Sequence, residues 1–209
     1  MSREYFIALN EICKKIKQYF ELSENRSYSR ATDKSLNKLP HQERIPDQLR
    51  VMSKDIDGST IRWHSPEDES NRSSCTGSIN LLPIHKIYGD WKGIVYFEFT
   101  ENQRLQDFKI VDFFAEEACV GLYHDAEQDS GLYFYDFERG PYPLHIDLKG
   151  YVQLLEMTLG YSYWQKVILD LVSGEESATT RQFRQDMTAW VPKFSFQSFT
   201  ALYEQVRLP

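Results

Sequence analysis

The side chains of this sequence that can ligate a metal, attack an electrophile or move a proton are five histidines, three cysteines and thirty-one carboxylates. A zinc site needs Cys or His ligands converging on one point, usually with at least one short spacing such as Cys-x-x-Cys. His41, His64, His85, His124 and His145 are each 21 residues or more from the next and no Cys-x-x-Cys occurs, so no metal site is expected. A thiol nucleophile needs a nearby base. Cys119 and His124 are the one near pair. Five residues apart on a strand they point to opposite faces, and Cys119 is expected to be a buried structural thiol.

Carboxylates cluster at Glu116-Glu117 and at Asp125, Glu127 and Asp129. With no feature to raise the pKa of one against another, they read as solvated loops rather than a general acid and base. Asp55-Ile56-Asp57-Gly58 lacks the third acidic position and closing glutamate of a calcium loop and reads as a turn. Neither Gly-x-Gly-x-x-Gly nor a P-loop occurs, so nothing cradles a nucleotide phosphate. No catalytic residue and no cofactor is therefore expected. A hydrolase built from scattered carboxylates or histidines is the least favoured reading.

The aromatic content is more unusual, with 13 Tyr, 13 Phe and 4 Trp. Tyr123, Tyr133, Tyr135 and Phe137 alternate along two segments, and the simplest expectation is that they fill a core between sheet and helix. Tyr133 and Tyr135 are also the candidates for exposed aromatic anchors on a contact face, because tyrosine is enriched at binding hot spots.

Elements must position these groups. Tyr5, Leu9, Ile12, Ile16 and Tyr19 step by 4, 3, 4 and 3, which predicts an amphipathic helix over residues 2–22. Residues 23–44 are polar and read as a connector, followed by a short helix opened by Ile45-Pro46-Asp47 and ended at Asp57-Gly58. Strands are predicted at 60–63, before Pro83, at 94–100, 107–114, 119–124 and 131–137, with a polar loop at 65–78. Gly140-Pro141-Tyr142-Pro143 reverses the chain. One long helix is predicted from the Asp147 cap to Gly174, tolerating Gly160, and two more helices carry Phe183, Met187 and Trp190, then Phe196, Phe199, Leu202 and Val206. Helices gathered around a run of strands define an α+β fold with an antiparallel sheet.

The length of 209 residues favours one globular unit, divided as an N-terminal helix and connector (1–44), a core (45–172) and C-terminal helices packed on it (173–209). The net charge of −7 is uneven: +3 over residues 1–50, −9 over 51–150 and −1 over 151–209. An acidic body offers no stripe for a phosphate backbone, so direct nucleic-acid binding is not expected and a basic protein is the better partner. There is no run of about 18 apolar residues to span a membrane, and the amphipathic start is not a signal peptide. Cys13, Cys75 and Cys119 read as separate reduced thiols, so a cytoplasmic location is expected and two Asn-x-Ser matches are incidental.

Ile45-Pro46-Asp47-Gln48-Leu49, Asp57-Gly58, Ile61-Arg62-Trp63, Ile79-Asn80-Leu81-Leu82-Pro83, Phe113-Phe114-Ala115 and Gly131-Leu132-Tyr133-Phe134-Tyr135 together resemble the SMI1/KNR4, or SUKH, superfamily. The resemblance covers about residues 45–172 and gives Pro46, Gly58 and Trp63 structural roles. Asp57-Gly58 stands where many members have Asn-Gly, and the loop at 65–78 and the helices after Gly174 are additional. The resemblance implies an α+β fold without catalytic machinery. Its bacterial members are regarded as immunity proteins that neutralise toxins, often nucleases, and its fungal members look like cell-wall regulators. Glu116, Glu117, Asp125, Glu127, Asp129, Tyr133 and Tyr135 are the expected partner contacts. The alternative is a regulatory scaffold for an endogenous protein.

Overall fold

The apolar stripe of the first segment forms helix α1 (Glu4–Tyr19), which buries Tyr5, Leu9, Ile12, Cys13 and Ile16. The structure, a computed structural model, describes residues 3–40, 42, 45–65, 76–99, 103–124 and 131–209. Among these, seven strands form one antiparallel sheet in simple sequential order: β1 (Glu21–Ser27), β2 (Ser59–His64), β3 (Gly77–Leu81), β4 (Phe108–Asp112), β5 (Ala118–Tyr123), β6 (Tyr133–Asp136) and β7 (Gly140–Pro143). Helices α2 (Asp33–Leu36), α3 (Asp47–Asp55), α4 (Ile84–Ile87), α5 (Leu148–Thr158), α6 (Trp164–Ser173), α7 (Ala178–Trp190) and α8 (Phe196–Val206) complete an α+β fold with one continuous core.

Besides α2, which the Thr32 cap and buried Leu36 set within the expected polar connector, four elements differ from the expectation, each for a physical reason. The start of the polar connector is strand β1, which pairs with β2 from Glu21–His64 to Ser27–Ser59. Its side chains are mostly exposed, so backbone hydrogen bonding defines it and apolar periodicity does not. Gly140–Pro143 is the opposite edge strand, β7, where proline is tolerated because one side of the ladder needs no donors. Charged β1 and proline-bearing β7 both discourage edge-to-edge association. Residues 94–99 are an irregular loop rather than a strand: β3 hydrogen-bonds to β4 inside the sheet, and the loop pairs with itself through a Lys92–Tyr96 bridge.

The fourth difference is the predicted long helix, which is two. α5 ends at Leu159 and Gly160, with φ of 54° and +70°, and α6 starts after Tyr163. The break docks on β2 and β3: the Trp63 indole N–H donates to the Leu159 carbonyl at 2.7 Å, and the Ser78 amide donates to the Gly160 carbonyl at 2.8 Å. A Cβ on Gly160 would lie 2.4 Å from Ile79 Cγ1. Side-chain spacing continues through the break because both helices face the same core, which is why periodicity alone reads as one helix.

Candidate protein-binding surface

Residues 89–99 connect α4 to the segment before β4 and present the largest exposed apolar groups of the described chain. Phe99 is 92% exposed and Phe97 59%, with Ile94 at 40%. The base of the loop is fixed. The Trp91 indole donates to the Ile87 carbonyl at 3.1 Å, the Ile94 and Val95 amides donate to the Trp91 carbonyl, and Val95 is buried. The Tyr96 hydroxyl donates to Asp90 Oδ1 at 2.6 Å and Lys92 Nζ pairs with Glu98 at 3.0 Å, closing the loop on itself. Asp90 is held below the usual carboxylate range, first by that hydroxyl. A loop so braced presents its aromatics without the ordering cost that a floppy one would incur on binding.

Beneath it lies an aromatic layer on β4, β5 and β6. Phe108 packs edge-on against Tyr123 and Tyr135, Tyr123 against Tyr133, and Tyr135 against Phe137. The Arg104 guanidinium sits 4.0 Å from the Tyr123 ring centre. Tyr135 is buried, with its hydroxyl donating to the Val95 carbonyl at 3.1 Å, so it is not an exposed anchor. The reason is the covering segment: residues 88–97 lie over the layer that a bare sheet would have shown to solvent. Tyr133 is half-buried at the margin of the layer.

The β4–β5 connection places Glu116 and Glu117 at the surface. Glu117 accepts from the Tyr163 hydroxyl, and its carbonyl accepts the Phe137 amide at 3.1 Å. Burial, then this carboxylate, raises the Tyr163 pKa. Ala118 pairs with Asp136 across β5 and β6, and exposed Glu138 follows. This acidic end adjoins the aromatic loop through Trp91, Phe113 and Phe137, whose rings follow at 6.3 and 6.1 Å. Sequence reasoning offered Glu116 and Glu117 but not Asp136, Glu138, Phe97 or Phe99. Antiparallel pairing brings the first two in, and the alternation of Phe97-Glu98-Phe99 without a strand partner was the available signal for the others. Asp125, Glu127 and Asp129 lie outside the described residues.

The titratable groups inside the core serve structure. Asp112 is fully buried at the seam where β3 meets β4 through one ladder pair, Leu81 with Asp112. Its Oδ1 accepts the Asn80 amide at 2.8 Å and its Oδ2 the Tyr151 hydroxyl at 2.8 Å, and Gln165 Nε2 donates to the Tyr151 oxygen at 3.1 Å. Burial pushes the Asp112 carboxyl up to about 6, against the pull of those donors. Cys119 is buried, and burial followed by Asp112 pushes its thiol well up, away from nucleophilic thiolate. His124 stands edge-on to Tyr88 at 5.2 Å. No group of three or more His, Cys, Asp or Glu among the described residues is placed to hold a metal ion.

Pro46, Gly58 and Trp63 each hold a junction. Pro46, at φ −56°, precedes the first turn of α3. Gly58 has φ +99°, and a Cβ there would meet the Pro83 nitrogen at 2.8 Å and the Leu81 carbonyl at 2.9 Å. Beside it, Asp57 Oδ1 accepts the Ile84 amide at 2.7 Å, so the Asp-Gly turn ties β2 to α4. Trp63 is fully buried and stacked on Phe20 at 4.1 Å.

No family model, curated protein or solved structure matches this chain. No helix among the described residues is long and apolar enough to cross a membrane.

Proposed function

We propose that this chain is a non-enzymatic protein-binding module of the SMI1/KNR4 (SUKH) type, acting in the cytoplasm as an immunity protein that neutralises a toxin by covering its surface. The observation that carries the reading is the pair Phe97 and Phe99, exposed on a loop whose base is buried and hydrogen-bonded. Phe99, at 92% exposure, buries almost none of its ring in the monomer, and a phenyl fully buried in a partner is worth about 1.5–3 kcal/mol.

The surrounding charge supports a basic partner, a nuclease domain being one such. Asp90, Glu98, Asp107, Glu116, Glu117, Asp136 and Glu138 stand against Lys92, Arg104, Lys109, Arg139 and Lys166 around the loop and the acidic end. An acidic rim accelerates encounter with a basic protein and repels nucleic acid. The test is a pull-down of the full chain with the product of the adjacent gene at low salt. Binding that weakens as salt rises supports the proposal; failure of every adjacent product to bind removes its basis and favours an endogenous partner for the same surface.

A further inference from the structure

A second site lies away from the aromatic loop and does not depend on the reading above. α1, α5, the α7–α8 turn and α8 line an open pocket of about 510 Å³ whose apolar wall is Tyr19, Met157, Leu159, Val191, Phe194 and Leu202. That volume is in the range of pockets that hold small molecules. The apolar wall is partly buried against the core.

Its polar side chains are Lys15, Gln153, Glu156 and Lys193, of which Gln153 is neutral. Lys15 is paired with Glu156 at 2.9 Å. Lys193, held at φ 68° in the turn after Pro192, makes no ion pair among the described residues. Two cations and one carboxylate leave a single positive charge beside the apolar wall. One unit of charge, supplied by a lysine without an arginine fork, suits a monoanion, whereas a phosphate dianion would face Glu156 unbalanced.

We propose that this pocket binds a free medium-chain aliphatic carboxylate, its chain against Met157, Leu159, Phe194 and Leu202 and its head group on Lys193. A bilayer lipid shares the chemistry, but a chain of net charge −7 is repelled by an anionic membrane surface.

Isothermal titration of the full chain with hexanoate, octanoate and decanoate tests the site. Affinity should rise about fourfold per added methylene, and decyltrimethylammonium should bind at least about tenfold more weakly than decanoate. Lys193→Ala should weaken decanoate about fivefold or more, and Leu202→Trp should abolish binding, with Val191→Phe as a second filling variant should the first fail to fold. Flotation with phosphatidylglycerol vesicles should leave the chain in solution. No saturable heat with decanoate at either of two temperatures, about 10 °C apart or more, equal affinity for the cationic amphiphile, undiminished binding in a folded filling variant, or co-flotation would each overturn the proposal.

Discussion

The Tyr135 hydroxyl donates to the Val95 carbonyl at 3.1 Å, and that bond fastens the base of the exposed aromatic loop to strand β6. Removing the donor in Tyr135→Phe leaves a buried carbonyl unsatisfied and keeps the ring packing. The expected cost is about 1 kcal/mol. Hydrogen exchange should quicken at Ile94 and Val95, whose amides bond within the loop, and stay unchanged in β2 and β3. Uniform quickening across the sheet would show that the bond braces the whole fold instead.

Asp112 makes stability depend on pH in the direction opposite to the usual carboxylate. The groups around it are the Tyr151 hydroxyl from α5, the Asn80 amide from β3 and the Cys119 thiol from β5. With its carboxyl raised from 3.8 to about 6 by burial, the folded state holds the proton more tightly than the unfolded state. Its contribution is fully present below about pH 4 and is lost as pH rises through about 6, a change on the order of 3 kcal/mol. Urea unfolding of wild type and Asp112→Asn from pH 4 to pH 7 isolates this contribution from the other carboxylates. The variant should gain on the wild type as pH rises; a constant gap would mean that Asp112 stays ionised in the fold.

Gly160 and Gly174 share a left-handed backbone, at φ +70° and +75°, but not their surroundings. Nothing lies within 4 Å of a Cβ at Gly174, so Gly174→Ala should cost only the backbone strain of about 1–2 kcal/mol. At Gly160 the same methyl meets buried Ile79, adding roughly 1–3 kcal/mol of overpacking. Thermal melts of the two variants should differ accordingly, and equal losses would show that the α5–α6 break yields to admit the methyl.

These positions also show how far the sequence could be read. The stripe from Tyr5 to Ile16, the α3 start at Pro46 and the β5–β6 pairing were legible, because each leaves a local periodic or turn signature. β1 and β7 were not, since an edge strand needs only backbone pairing and asks little of its side chains. The α5–α6 break was hidden because Gly160 matters through its contact with Ile79, 81 residues earlier in the chain. For the candidate surface, Glu116 and Glu117 were identifiable as acidic, whereas the burial of Tyr135 depends on a loop that the β-rich composition of 94–100 disguised as a strand.

The acidic end should act on the rate of association more than on its lifetime. Glu116→Gln with Glu138→Gln should lower the on-rate for a basic partner by about three- to tenfold at low salt, leaving the dissociation rate and melting temperature nearly unchanged. Stopped-flow mixing at two salt concentrations reads both rates. An unchanged on-rate would place the partner on another face.

In the proposed complex, Phe97 and Phe99 anchor the protein partner. The most direct measurement is the dissociation constant between the full chain and the adjacent-gene product, for wild type and for Phe97→Ala with Phe99→Ala. The two truncations should weaken binding by at least about a hundredfold in a variant that stays folded. Wild-type affinity in a folded double variant would mean that the partner docks elsewhere.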